Sequence, residues 1–225
     1  MGRVMGLISL LSTSPLLFAL IAVILIAAIT VHEFAHAWMA DLLGDPTPRS
    51  QGRVTLNPKA HLDPIGTLMI FMIGFGWGKP VMFDPFNLKN PTKEAALIAF
   101  AGPAANLLLA LVLSVVLPLG IGFGISEPVL STILLYSIFY NIMLAVFNLV
   151  PIHPLDGGKI AVALLPAELA LEYDDFMRRY GTFVLIALIL PLVNGTSAVS
   201  TLISPVITFI SSWYLQLATF VIGLI

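Results

Sequence analysis

The chain has 225 residues, of which 59% are hydrophobic and only 10% charged, against roughly 25% charged residues in an ordinary soluble domain; composition therefore points to a bilayer. With no cysteine, and with four histidines and twelve acidic residues, disulfide frameworks and thiolate metal sites are excluded, and any metal must be held by His, Asp or Glu. A net charge of −2, with no basic run interleaved with aromatics, argues against a nucleic-acid partner.

In chain order, Ser14 and Pro15 form a helix-start signal, and nothing interrupts the helix before Gly44, Asp45 and Pro46. The predicted helix, 15–43, spans about 43 Å at 1.5 Å per residue, longer than the roughly 30 Å hydrocarbon core. It leads into polar residues without an A-x-A cleavage site, so it reads as a retained segment rather than a removable signal peptide. Residues 44–64 form a polar, Pro-rich connection. The apolar stretch 65–78 is too short to span, because about 14 helical residues reach only about 21 Å. It is expected to be a re-entrant hairpin or a short membrane-associated sheet within 65–85. Asn90 and Pro91 open a helix that runs to about Leu119 through Gly102 and Pro103, and another is predicted from about Glu127 to Val150. After a broken stretch, Pro151 to Gly158, come a short helix, an acidic stretch at Glu172 to Asp175, and apolar helices at about 181–193 and 205–225.

Basic residues orient this arrangement, since cytoplasmic loops are enriched in them. Arg49, Arg53 and Lys59 precede the 65–78 segment, Lys79, Lys89 and Lys93 follow it, and Lys159, Arg178 and Arg179 lie in the connection after Pro151. A re-entrant 65–78 segment places all of these on the cytoplasmic side and leaves only Arg3 outside. The expected fold is an all-α polytopic membrane helix bundle with about five to six transmembrane helices. It forms a single membrane-embedded domain over 1–225, with a catalytic core at about 15–165 and C-terminal helices at about 180–225.

Inside the first long helix lies His32-Glu33-Phe34-Ala35-His36, an H-E-x-x-H sequence. At about 100° per residue, His32 and His36 fall one turn apart on one face, and Glu33 stays near them. That pattern suits two metal ligands and a general base. A charged acid in an apolar helix costs about 2.5 to 3.5 kcal/mol to insert, so such residues mark candidate functional sites. The bland reading is that His32 and Glu33 pair within the bundle. A catalytic zinc takes three protein ligands and a water, so a third ligand is needed. Asp156 stands in a stretch whose prolines and glycines prevent regular helix, and irregular backbone at membrane depth is tolerated where it is buried in protein or lines a watery cavity. His153 and His61 are the rivals. Asn148 suits either an oxyanion donor or a hydrogen bond to the broken backbone, while Asn106 reads as a bridge between helices.

HEFAH, the G-P-x-x-N pattern at Gly102 to Asn106, and N-x-x-P-x-x-P-L-D-G-G at Asn148 to Gly158 together resemble the site-2 protease family of intramembrane zinc metalloproteases. The stretch Gly52 to Thr67 looks like that family's connection after its first catalytic helix. The resemblance implies that His32, His36 and Asp156 bind one Zn2+, that Glu33 activates water and that Asn148 positions the reacting peptide. It implies a transmembrane protein substrate and a place in the bilayer, expected to be a prokaryotic cell membrane. The chain looks like a core-only member, without an inserted PDZ domain or a C-terminal CBS pair. A transporter or a metal-binding scaffold with the same fold is the rival function.

Overall fold

A computed structural model describes residues 7–73, 76–191 and 196–224. Arg3, Gly74 and Phe75 of the 65–78 stretch, and the last residues of the expected 181–193 helix lie outside them. The principal helices are α1 Pro15–Leu42, α2 Pro64–Ile73, α3 Pro91–Val116, α4 Glu127–Asn148, α5 Asp156–Leu164, α6 Ala167–Ile189 and α7 Ala198–Ile222. Proline stands at the first position of α1, α2 and α3, where its missing N–H would be unpaired in any residue and its fixed φ suits a helix. Asn90 caps α3 by accepting from the Lys93 amide. Ser14, by contrast, makes no side-chain cap; its backbone N–H continues a preceding turn to Leu10. Gly44, at φ 101, ends α1 in a conformation that glycine adopts without penalty.

The all-α bundle is as the sequence predicts, with two helices drawn differently. The acidic stretch and the 181–193 segment belong to one helix, α6. Nothing between them breaks the backbone, and Asp174–Arg178 and Asp175–Arg179 pair one turn apart along it, which supports helix. α7 begins at Ala198 rather than at Pro205, because Ser197 caps it by accepting from the Ser200 amide; membrane helices tolerate the internal proline. Among the described residues, four helices are long and apolar enough to cross a membrane: α1, α3 with its extension to Gly120, α4 and α7. The further predicted crossing falls in the second half of α6, whose first half is charged.

The 65–85 region takes neither strand nor long helix among the described residues. α2 covers its first part, and a single antiparallel bridge joins Leu62 to Gly78. Residues 76–84 then form a strap, without regular helix or strand apart from that bridge, which leads on toward the start of α3.

α1 packs on α3 and α4, and α3 on α4 and α5. The core gathers Ala110 of α3, Leu134, Ile138 and Ile142 of α4, Val150 just beyond it, Leu155 of the broken stretch, Leu185 of α6 and Ile203 of α7. Large apolar side chains such as Leu16, Val23, Leu108, Phe183, Phe209 and Phe220 stay exposed around the outside. That is the distribution of a bundle whose surface faces lipid.

Candidate metal centre

His32 and His36 occupy one face of α1 and are both buried. Asp156, the first residue of α5, reaches them from far along the chain, 124 positions after His32: its Oδ2 lies 3.1 Å from His32 Nε2 and 3.3 Å from His36 Nε2. Ligand atoms of these three residues all fall within 4.8 Å of one another. Gly157 permits this approach. A Cβ there would stand 2.3 Å from the carbonyl oxygens of Leu149 and Val150, so a larger residue would push α5 away from the end of α4.

Hydrogen bonding at the far side of each ring decides what the near side can do. His32 Nδ1 lies 2.6 Å from Asn106 Oδ1, and His36 Nδ1 lies 2.7 Å from the Ile98 carbonyl oxygen. The Asn106 amide is oriented by its own donors, since its Nδ2 donates to the Ala28 carbonyl and to Asn141 Oδ1. Both Nδ1 atoms therefore face acceptors and carry the ring proton. In the neutral imidazole this leaves each Nε2 as a bare acceptor, and both point at a carboxylate oxygen, which is also an acceptor. Acceptors brought this close can be reconciled by a shared cation, and the three ligand atoms are near enough to hold one. Two imidazoles and one carboxylate, with second partners fixing the ring tautomers, form a donor set that suits zinc.

Glu33 lines the same cavity as the ring pair, with its carboxylate toward the strap and the 44–64 connection. A Cβ on Gly78 would stand 3.2 Å from Glu33 Oε1, and Arg53 Nη2 lies 3.8 Å from Glu33 Oε2. A cavity of about 630 Å³ opens in front of these groups. His32, Glu33, His36 and Asp156 line it together with Trp77, Gly78 and Phe83 of the strap, Phe147 and Asn148 of α4, and Leu185 and Ile189 of α6. Asn148 is thus on the cavity wall, with one amide N–H donated to the Leu144 carbonyl of its own helix.

The rival ligands lie elsewhere. His153 Nε2 is 3.1 Å from Asp174 Oδ1, on the side of α6. His61, which the sequence places in a polar connection, is fully buried. Burial pushes its pKa down, aided by the Arg53 charge and opposed by the hydrogen bond to the Thr55 carbonyl. A neutral ring that donates from Nε2 to Thr55 O leaves Nδ1 as an acceptor, and this atom has no partner among the described residues.

Two contributors were not read as part of the site from sequence. Asn106 bridges helices as expected, but the bridge ends on His32. Gly102, one turn before it, lies so close to the rings that a Cβ would stand 2.5 Å from His36 Nε2. The available signal was the i, i+4 spacing of Gly102 and Asn106, which matches that of His32 and His36 and puts both pairs in register across two packed helices.

Residues 20–129 and 125–192 match peptidase family M50. The chain belongs to this family, that of the site-2 proteases. It is 38% identical over 173 residues to a Bacillus subtilis (strain 168) protein provisionally named zinc metalloprotease YwhC, covering 75% of this chain and 78% of that one. A Mycobacterium tuberculosis (strain H37Rv) protein, provisionally named zinc metalloprotease Rip2, is 29% identical over 192 residues, 82% of this chain and 73% of the relative. Zinc metalloprotease MJ0392 of Methanocaldococcus jannaschii is 29% identical over 155 residues, 68% of this chain but 36% of that protein. No solved structure matches the chain.

Proposed function

We propose that the chain hydrolyses a peptide bond in or beside a transmembrane segment of a membrane-protein substrate, near the cytoplasmic side of a prokaryotic cell membrane. His32, His36 and Asp156 hold the zinc. The observation that carries this reading is the meeting of two Nε2 acceptors and one carboxylate oxygen on the wall of a cavity set among apolar helices. When bound, zinc supplies Lewis acidity, polarising the scissile carbonyl and lowering the pKa of the attacking water toward about 7.

Glu33 accepts the proton of that water as the new C–O bond forms. It then delivers the proton to the amide nitrogen as the C–N bond breaks. Asn148, with one N–H donated to Leu144, keeps a second N–H for the substrate carbonyl. A transmembrane helix hides its carbonyls in its own hydrogen bonds, so the substrate must unwind locally to react. The strap offers it a neighbour. One side of the strap is bonded to the 61–62 backbone through the Leu62–Gly78 bridge and the Lys79 amide, while Trp77, Gly78, Pro80, Val81 and Phe83 line the cavity. An unwound peptide lies along that side by strand addition.

Cytoplasmic placement rests on the basic loops. α1 rises about 42 Å over its 28 residues, and the HEFAH sequence occupies its second half, toward the connection that carries Arg49 and Lys59. The test is cleavage of a panel of single-pass membrane peptides by purified wild type and Glu33→Gln. The wild type cleaves within or next to the membrane segment, and Glu33→Gln keeps its zinc but loses cleavage. Unchanged cleavage by the variant would remove Glu33 from the proton-transfer role.

A further inference from the structure

One buried cation beside the site has no part in the reaction as described. Arg53, counted from sequence as a loop charge, has a side chain only 4% exposed. Its Nη2 donates a hydrogen bond to the Lys79 carbonyl of the strap, and the same nitrogen lies 3.8 Å from Glu33 Oε2. Neither Glu33 Oε2 nor Arg53 Nε has a hydrogen-bond partner among the described residues, although both are buried. Burying a guanidinium costs several kcal/mol unless it is well paired. As a device for stability, one hydrogen bond and one long ion pair are a poor return. Incompletely satisfied buried groups of this kind call for another explanation.

The neighbours of Arg53 supply it. Gly78 and Lys79 are already fixed to the connection by backbone, through the Leu62–Gly78 bridge and the bond from Lys79 N to His61 O at 2.7 Å. The strap therefore holds its place without Arg53. What the guanidinium adds is a link between that strap and the carboxylate of Glu33. Oε1 of the same carboxylate faces Gly78, and Oε2 faces Arg53. The two oxygens are thus bracketed by the element that flanks the cavity and by the cation bound to it.

We propose that Arg53 is a positioning residue for the peptidase reaction, its Nη2 shared between the Glu33 carboxylate and the Lys79 carbonyl so that the base and the peptide-holding strap keep one frame. The inference rests on the reading of Glu33 as the group that moves the proton. It makes the guanidinium, rather than a hydrophobic filler, the requirement at position 53. Lysine retains the charge but ends in a shorter, more strongly hydrated ammonium, which meets the two acceptors less well than the guanidinium Nη2.

The experiment uses the full chain, purified in detergent, with a single-pass membrane peptide cleaved by the wild type. kcat, KM and zinc content are measured for Arg53→Gln and Arg53→Lys, and peptide binding is compared between Glu33→Gln and Glu33→Gln/Arg53→Gln. Misplacing a reacting group by about 1 Å costs on the order of 100-fold in rate. Arg53→Gln is therefore expected to lose about that much kcat, with zinc content, KM and peptide binding unchanged, and Arg53→Lys to recover part of the loss. Wild-type kcat in Arg53→Gln overturns the inference alone. So does an equal loss in both variants accompanied by loss of zinc or of folded protein, which marks a structural role. Zinc-loaded wild type that cleaves none of the peptides overturns the peptidase reading and this inference with it.

Discussion

His32 and His36 owe their placement to what stands behind them. Each ring is held at Nδ1 by an acceptor on α3, Asn106 Oδ1 or the Ile98 carbonyl, and α3 comes this close only because position 102 carries no side chain. A Cβ on Gly102 would fall 2.5 Å from Cε1 and Nε2 of His36 and 2.8 Å from Cε1 of His32. Alanine is the better helix former by about 1 kcal/mol, so propensity alone favours the change. Gly102→Ala is nevertheless expected to displace both rings, dropping zinc well below about one per chain and cleavage by about 100-fold. Full zinc occupancy and activity in that variant would contradict the placement. At this scale the HEFAH residues were legible as candidate ligands because ligand geometry is written locally, in the period of one helix. Asn106 and Arg53 were less so, because their roles depend on which atom of a distant residue their side chains meet, and no spacing along the chain states that.

The strap lines the same cavity as the three proposed metal ligands and is held at both ends. Its far end is fixed by Asp45, which is fully buried just beyond α1. Asp45 Oδ1 accepts from the Thr47 amide and hydroxyl at 3.1 and 2.6 Å and from Asn87 Nδ2 at 2.7 Å, and Oδ2 accepts from the Asp84 amide at 2.8 Å. Burial pushes the pKa of Asp45 up, but these hydrogen bonds outweigh it and hold the carboxyl below its ordinary value. A group depressed in the folded state contributes stability above its unfolded pKa of about 3.9, which is lost as pH falls through the folded value. Asp45→Asn, which turns an N–H toward these donors, is expected to cost about 1 to 3 kcal/mol at neutral pH. The difference from wild type should narrow below about pH 4 in thermal unfolding; a gap independent of pH would count against the charged hub. Sequence showed that the 65–78 stretch could not span, since length alone decides that. It did not show that helix α2 would take the first part and a strap the second, because the strap owes its shape to partners at 61–62 and 45. The two-part reading of α6 failed for a similar reason: its charged half is helical through pairs along its own surface, where hydropathy sees only an interruption.

At the scale of the whole molecule, the proposed arrangement needs His36 and Asp156 at one depth, which the topology supplies when the loop carrying Lys59 and the charged half of α6 carrying Arg178 share a side. Because the chain has no cysteine, single cysteines report this directly. A membrane-impermeant maleimide is expected to label Lys59→Cys and Arg178→Cys from the cytoplasmic face and Ser126→Cys from the opposite one. Labelling of Lys59→Cys and Ser126→Cys from the same face would break the topology. Polytopic class and basic-loop asymmetry were legible because they are bulk properties of composition. The meeting of α1 with the start of α5 rested in sequence on the broken 151–158 stretch, and its geometry depends on close approaches such as that of Gly157 to the Leu149 and Val150 carbonyls. The central claim is that His32, His36 and Asp156 hold one metal ion together, and zinc content per chain tests it most directly. Purified wild type is predicted to carry about one zinc and Asp156→Ala to carry markedly less at the same free zinc concentration; equal occupancy in the two would contradict the account.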